Sequence, residues 1–113
     1  MHAFDVLGDP VRRRILELLA EREHASGEVV EVIRREFGIT QAAVSQHLKV
    51  LRESGFASVR PEGTRRVYVL DTSPLQGIDD WLERFRGFWG HKLEALATEV
   101  ARGKKARGEI DEA

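Results

Sequence analysis

The chain has no cysteine, which excludes disulfides, thiolate metal sites, cysteine nucleophiles and thiol-based redox sensing together. It also has no long apolar run. The longest is a few residues, too short for a membrane span, and the start MHAFDVLGDP lacks the basic and apolar segments of a signal peptide. A cytoplasmic protein with no membrane partner is expected. Neither sign of charge dominates, because the formal net charge is −1, and a uniformly basic nucleic-acid binder is thereby excluded. Catalytic constellations are missing too. The pair Asp79-Asp80 has no nucleophile, glycine-rich phosphate loop or His-Asp arrangement beside it, so it reads as acidic residues favoured in the first turn of a helix, and no enzyme is expected. What remains is 113 residues of 42% apolar content, enough for one compact domain with a small core.

Charge is uneven along that chain. From Gly38 to Leu70 the basic residues Lys49, Arg52, Arg60, Arg65 and Arg66 face only Glu53 and Glu62, a local excess of three positive charges that the total hides.

Asp9-Pro10 reads as an N-cap followed by proline at the first helical position, and Val11, Ile15, Leu18 and Leu19 continue at helical spacing, predicting a helix over 10 to 23. Ala3, Phe4, Val6 and Leu7 predict a short helix ending at Gly8. Ser26 is the expected cap of a further helix whose buried face carries Val29, Val30, Ile33 and Phe37, with Gly38 ending it. Thr40 caps the next, in which Ala43, Val44, Leu48 and Leu51 form the buried stripe up to Gly55. Two helices joined only by Gly38, Ile39 and a cap make a helix-turn-helix.

After Gly55 the period turns to alternation. FASVR and RRVYVL are β-branched and aromatic runs around PEGT, a turn whose glycine can supply positive φ. The fold class expected is therefore mainly α with a small β-hairpin, a winged helix-turn-helix over 1–101. Asp71 to Pro74 start a last helix, 75 to 101, in which Ile78, Trp81, Leu82, Phe85, Phe88, Trp89, Leu93 and Leu96 recur at steps of 3 and 4. So many aromatics on one face call for a second copy, and a symmetric dimer is the commonest oligomer. The residues 102–113 read as a frayed polar tail.

The helix over 40–54 presents Gln41, Ala42, Ser45, Gln46 and Lys49 opposite its buried stripe. Amides and hydroxyls both donate and accept, as base edges in the major groove require, and Lys49 reaches guanine or phosphate. Arg60, Arg65 and Arg66 would lie on the DNA backbone or in the minor groove. His47 is expected to pack or to touch phosphate, His2 and His24 to be inert, and Arg12, Arg13 and Arg14 to pair with Glu17 and Glu21.

VLGDPVRRRILELLAE, TQAAVSQHLKVLRESGF and VRPEGTRRVYVL closely resemble the arsenic-repressor (ArsR/SmtB) family of bacterial winged-helix repressors, over about residues 3 to 100. The resemblance implies a homodimer paired through its first helix, with Phe4 and Leu7, and its last. It implies binding to an inverted-repeat operator in double-stranded DNA, relieved by an inducer. The family's DNA contacts fall on Thr40, Gln41, Ala42, Ser45 and Gln46, and its wing on Glu62 to Arg66, including Gly63 and Thr64. The cysteine metal site of well-known members is absent. A second family metal site would draw on Asp80, His91 and Glu94, but Ile78 stands where a ligand is needed, so no metal or other cofactor is expected and the residues specify no inducer. Two other readings stay open: a protein-interaction module built on the aromatic helix, and a zinc-responsive sensor using that last-helix site.

Overall fold

The structure, a computed structural model, describes residues 2–107, with side chains described except at 90–97 and 101–107. The chain divides into two units, Met1–Ile78 and Asp79–Ala113. The first contains α1 (Ala3–Leu7), α2 (Pro10–Glu21), β1 (His24–Ala25), α3 (Ser26–Phe37), α4 (Gln41–Glu53), β2 (Ala57–Glu62), β3 (Arg65–Leu70) and the beginning of α5 (Ser73–Arg107), which makes up the described part of the second. Among the described residues no helix is long and apolar enough to cross a membrane.

Local chemistry sets most of the boundaries. The Asp9 carboxylate accepts from the N–H groups of Val11 and Arg12 at 2.8 and 3.2 Å, and Pro10 follows as the first residue of α2. Gly38 ends α3 with φ 67°, and Gly55 follows α4 with φ 81°, both in the left-handed region that favours glycine. The Thr40 hydroxyl accepts from the Ala43 N–H at 3.1 Å, so the link between α3 and α4 is three residues.

The core of the first unit is Val6, Ile15, Val29, Ile33, Val44, Leu51 and Phe56, none of them accessible to solvent, with Leu18, Leu19, Leu48 and Tyr68 around them. Their spacing explains why three helices and a sheet form together, since each element alone would leave an apolar face wet.

Four expectations need correction. The sheet has three antiparallel strands in the order β1-β3-β2, not two, because His24 and Ala25 pair with Tyr68 and Val67. Ser26 is the first residue of α3 rather than its cap; Ala25 occupies the cap position, and its N–H donates to Glu28 at 3.1 Å. His24 is not an inert surface residue. It is buried, with Nε2 3.1 Å from the Leu18 carbonyl and Nδ1 3.6 Å from Glu28. The last helix runs to Arg107, six residues past its expected end, while 108–113 of the polar tail lie outside the described residues.

The arginine triplet of α2 also does different work. Arg12 donates to the carbonyls of Val6 and Asp5, Arg13 to that of Leu7, so two of the three hold the C-terminal end of α1. Only Arg14 makes an expected pair, with Glu17 at 3.7 Å, and it binds Glu36 of α3 by two nitrogens as well.

Asp9 gives a test of this corner. Burial raises its carboxyl pKa, but the two N–H bonds and the nearby charges of His47 and Arg12 outweigh that, leaving it below the ordinary 3.8. Its stabilisation is therefore complete above that value and is lost as the pH falls through the lowered one. Asp9→Ala is expected to cost about 1 kcal/mol at neutral pH. Thermal melts of both proteins should show the gap closing in strong acid; a gap that persists there would assign the effect to something other than the carboxylate.

Candidate nucleic-acid interface

The outward face of α4 is open. Gln41, Ala42, Ser45, Gln46 and Lys49 are exposed, while Val44, Leu48 and Leu51 on the opposite side are buried. Thr40 is also exposed, with its oxygen engaged in the cap. His47 is half-buried, its Nδ1 3.5 Å from Arg12 Nη1, which ties the middle of α4 to the residue that holds α1.

Three hollows share Ser26 in their walls, and two of them border this face. One, of about 260 Å³, brings Ser45, Lys49 and Arg66 together with Arg52. A second places Gln41 and Ser45 beside Arg34 of α3. The third lies between the start of α3 and the wing, with Thr64, Arg65 and Arg66 on its far wall. Lys49 is 3.9 Å from Glu53, whereas Arg66 makes no ion pair among the described residues. The structure thus joins the amide and hydroxyl face to a basic hollow that a phosphate could enter.

Strand geometry separates the three wing arginines. Glu62 pairs with Arg65 and Arg60 with Val67, while Pro61 pairs with Arg66. Side chains alternate across a sheet, so Arg60, Glu62 and Arg65 share one face and Arg66 takes the other. Arg66 lies with Lys49 and Arg52. Arg60 instead binds Glu23 by both terminal nitrogens, at 2.6 and 3.1 Å, and Glu62 at 3.0 Å. Arg65 donates to Glu28 at 3.2 Å. Gly63 turns the tip with φ 62°.

Sequence reasoning missed Ser26 as a wall of these hollows, having assigned it to the cap, and missed Arg52. The second omission was avoidable, since Ser45, Lys49 and Arg52 follow at steps of 4 and 3 and must share a face.

The residues expected to pair two copies divide in two. In the first unit Phe4 is exposed and Leu7 packs partly against the core; Ile78 is half-buried. In the second, Trp81, Phe85, Phe88 and Trp89 are exposed and Leu82 half-buried, whereas Leu93 and Leu96 lie among the side chains that are not described. So do His91 and Glu94; Asp80 is exposed. The chain has no cysteine for a thiolate site, and among the described residues no group of three His, Asp or Glu side chains is placed to hold an ion.

A helix-turn-helix with an uncovered amide face, followed by a β-ribbon turning on glycine, is a winged-helix DNA-binding module. The chain belongs to the arsR family of bacterial regulatory proteins, whose family model matches residues 9–59. It is a transcriptional regulator and not an enzyme. It is 43% identical to the HTH-type transcriptional regulator Rv2034 of Mycobacterium tuberculosis over 84% of this chain and 82% of that protein. It is 31% identical to the transcriptional repressor SdpR of Bacillus subtilis, over 74% and 89%. Among solved structures it resembles the homodimeric winged helix-turn-helix DNA-binding domain of Mb0332 from Mycobacterium bovis. That match has TM-score 0.56 and 26% identity, and covers 74% of this chain and 76% of that one.

Proposed function

We propose that two copies of this chain bind an inverted-repeat operator and repress transcription, each laying α4 in the major groove and its wing against the backbone or in the minor groove. The observation that carries this reading is the adjacency of an exposed, uncharged, hydrogen-bonding face to the hollow lined by Lys49, Arg52 and Arg66. Gln41, Ser45 and Gln46 read base edges, with Thr40 and Ala42 at the helix start close to the bases. Lys49, Arg52 and Arg66 take phosphate, and Gly63 and Thr64 form the wing tip. The dimer is supported by the homodimeric Mb0332 domain and repression by the name of SdpR, each a property of that protein. Phe4 and the aromatic face of α5 are the surfaces that pairing would cover.

Selection of bound DNA from a random library tests this, because a dimer should return two half-sites about one helical turn apart. Single substitutions divide the roles. Gln46→Ala should relax preference at one base pair of each half-site, whereas Arg66→Ala should weaken all sequences alike and flatten the salt dependence by about one unit per subunit. Equal losses on selected and random DNA for both variants would overturn the assignments.

A further inference from the structure

We infer that Glu23 competes with DNA phosphate for Arg60 of the wing, and thereby holds down the affinity of the protein for DNA of any sequence. The inference rests on the reading of the wing given above. Arg60 stands three residues from the wing tip on β2, and 37 positions separate it from Glu23, which lies between α2 and β1. The contact is two-pronged, Nη1 to Oε2 at 3.1 Å and Nη2 to Oε1 at 2.6 Å, the geometry in which a guanidinium also grips phosphate. Glu62 adds a second carboxylate at 3.0 Å, so the cluster of one cation and two anions is net negative.

The pairing persists at working pH. The bond from Arg60 holds the Glu23 carboxyl below its ordinary value, so it stays ionised, and Arg60 is correspondingly raised. Both side chains are about half exposed, at 47% and 48%, so an incoming phosphate has access to the pair. Glu28, which holds Arg65, is a different case. It also accepts from the Ala25 N–H at the start of α3 and from Arg22, so replacing it would disturb the helix. Glu23 contacts Arg60 alone among the ion pairs of the described residues.

A phosphate reaching Arg60 must displace a carboxylate, and one ion pair is exchanged for another. Such a contact gives little net affinity, and wild-type Arg60 contributes almost nothing to binding. Glu23→Gln removes the two-pronged competitor and leaves Glu62 as the one carboxylate on the guanidinium. DNA binding should then tighten roughly two- to fivefold per subunit, as the loss of an exposed ion-pair competitor allows, and the salt dependence should steepen by about 0.9 unit per subunit. Operator and random DNA should gain alike, since phosphate carries no sequence information. The Glu23→Gln/Glu62→Gln double variant should gain more.

The experiment is a salt series of DNA-binding measurements on the full chain, with folding checked by thermal melting. Glu21→Gln, an exposed carboxylate that bonds no wing arginine, reports the effect of simply losing one negative charge. On an Arg60→Ala background, where no guanidinium is left to release, Glu23→Gln should do no more than Glu21→Gln. If Glu23→Gln in the otherwise wild-type chain matches Glu21→Gln, or weakens binding, the inference is overturned while the DNA reading stands. If no variant and no wild-type protein retains DNA, both fall.

Discussion

Replacing Phe56 by Ala is expected to remove a third or more of the stability of the DNA-binding unit. The side chain is fully buried and is among the largest so placed. Its backbone joins three elements, because its N–H donates to the Leu51 carbonyl at 2.9 Å and its own carbonyl accepts from Asp71 at 2.8 Å. Those bonds fix where α4 ends, where β2 begins and where the chain leaves the sheet for α5. Emptying a fully enclosed phenylalanine site costs about 3–5 kcal/mol. A unit of the size of Met1–Ile78 holds roughly 4–12 kcal/mol in total. Urea titration should show the midpoint falling by a third or more with little change in slope. Phe37→Ala, at a side chain 38% exposed, should shift it far less. Comparable small shifts for both variants would mean that Phe56 is not at the centre of this core.

The parts of the fold that sequence chemistry announces are those governed by neighbours a few positions away. Asp9-Pro10, Gly38, Thr40 and Gly63 each act through a cap bond or a positive φ set within a turn of the chain, and each does so in the structure. Features decided by distant partners were illegible. His24 and Ala25 become a strand only because β3, more than forty residues later, offers them a free edge, and two residues show no alternation to read. The same distance hides the partners of Arg60 and Arg65, since Glu23 and Glu28 each lie 37 positions away. That Arg65 and Arg66 part company was readable, because adjacent strand residues point to opposite faces. The outward face of α4 was legible for a stronger reason: the buried stripe of Val44, Leu48 and Leu51 leaves only one way for Gln41, Ser45 and Gln46 to point.

The second large effect is expected at Phe85. α5 is 35 residues long, about 52 Å at the α-helical rise. Trp81, Phe85 and Trp89 follow one another at four-residue steps and touch ring to ring, with centroids 4.9 and 6.4 Å apart, so Phe85 is the middle rung of a ladder. Phe88 extends the same face and is 59% exposed. A continuous aromatic face of this kind rarely stays in water. If a second copy covers it, a carboxylate at the middle rung would be buried without a counter-ion, a far larger penalty than the lost ring contacts. Phe85→Glu should therefore sediment as a monomer at concentrations where wild type is a dimer. Operator affinity should fall by about 10² to 10⁴, because the second half-site is then no longer bound from within the same molecule. The residual binding should still prefer a single half-site over random DNA, since each α4 and wing is intact. Glu83→Gln, on the opposite side of the same turn, should change neither property. A Phe85→Glu protein that remained dimeric would move the pairing surface away from this face, and a monomer that kept full operator affinity would remove the need for two copies.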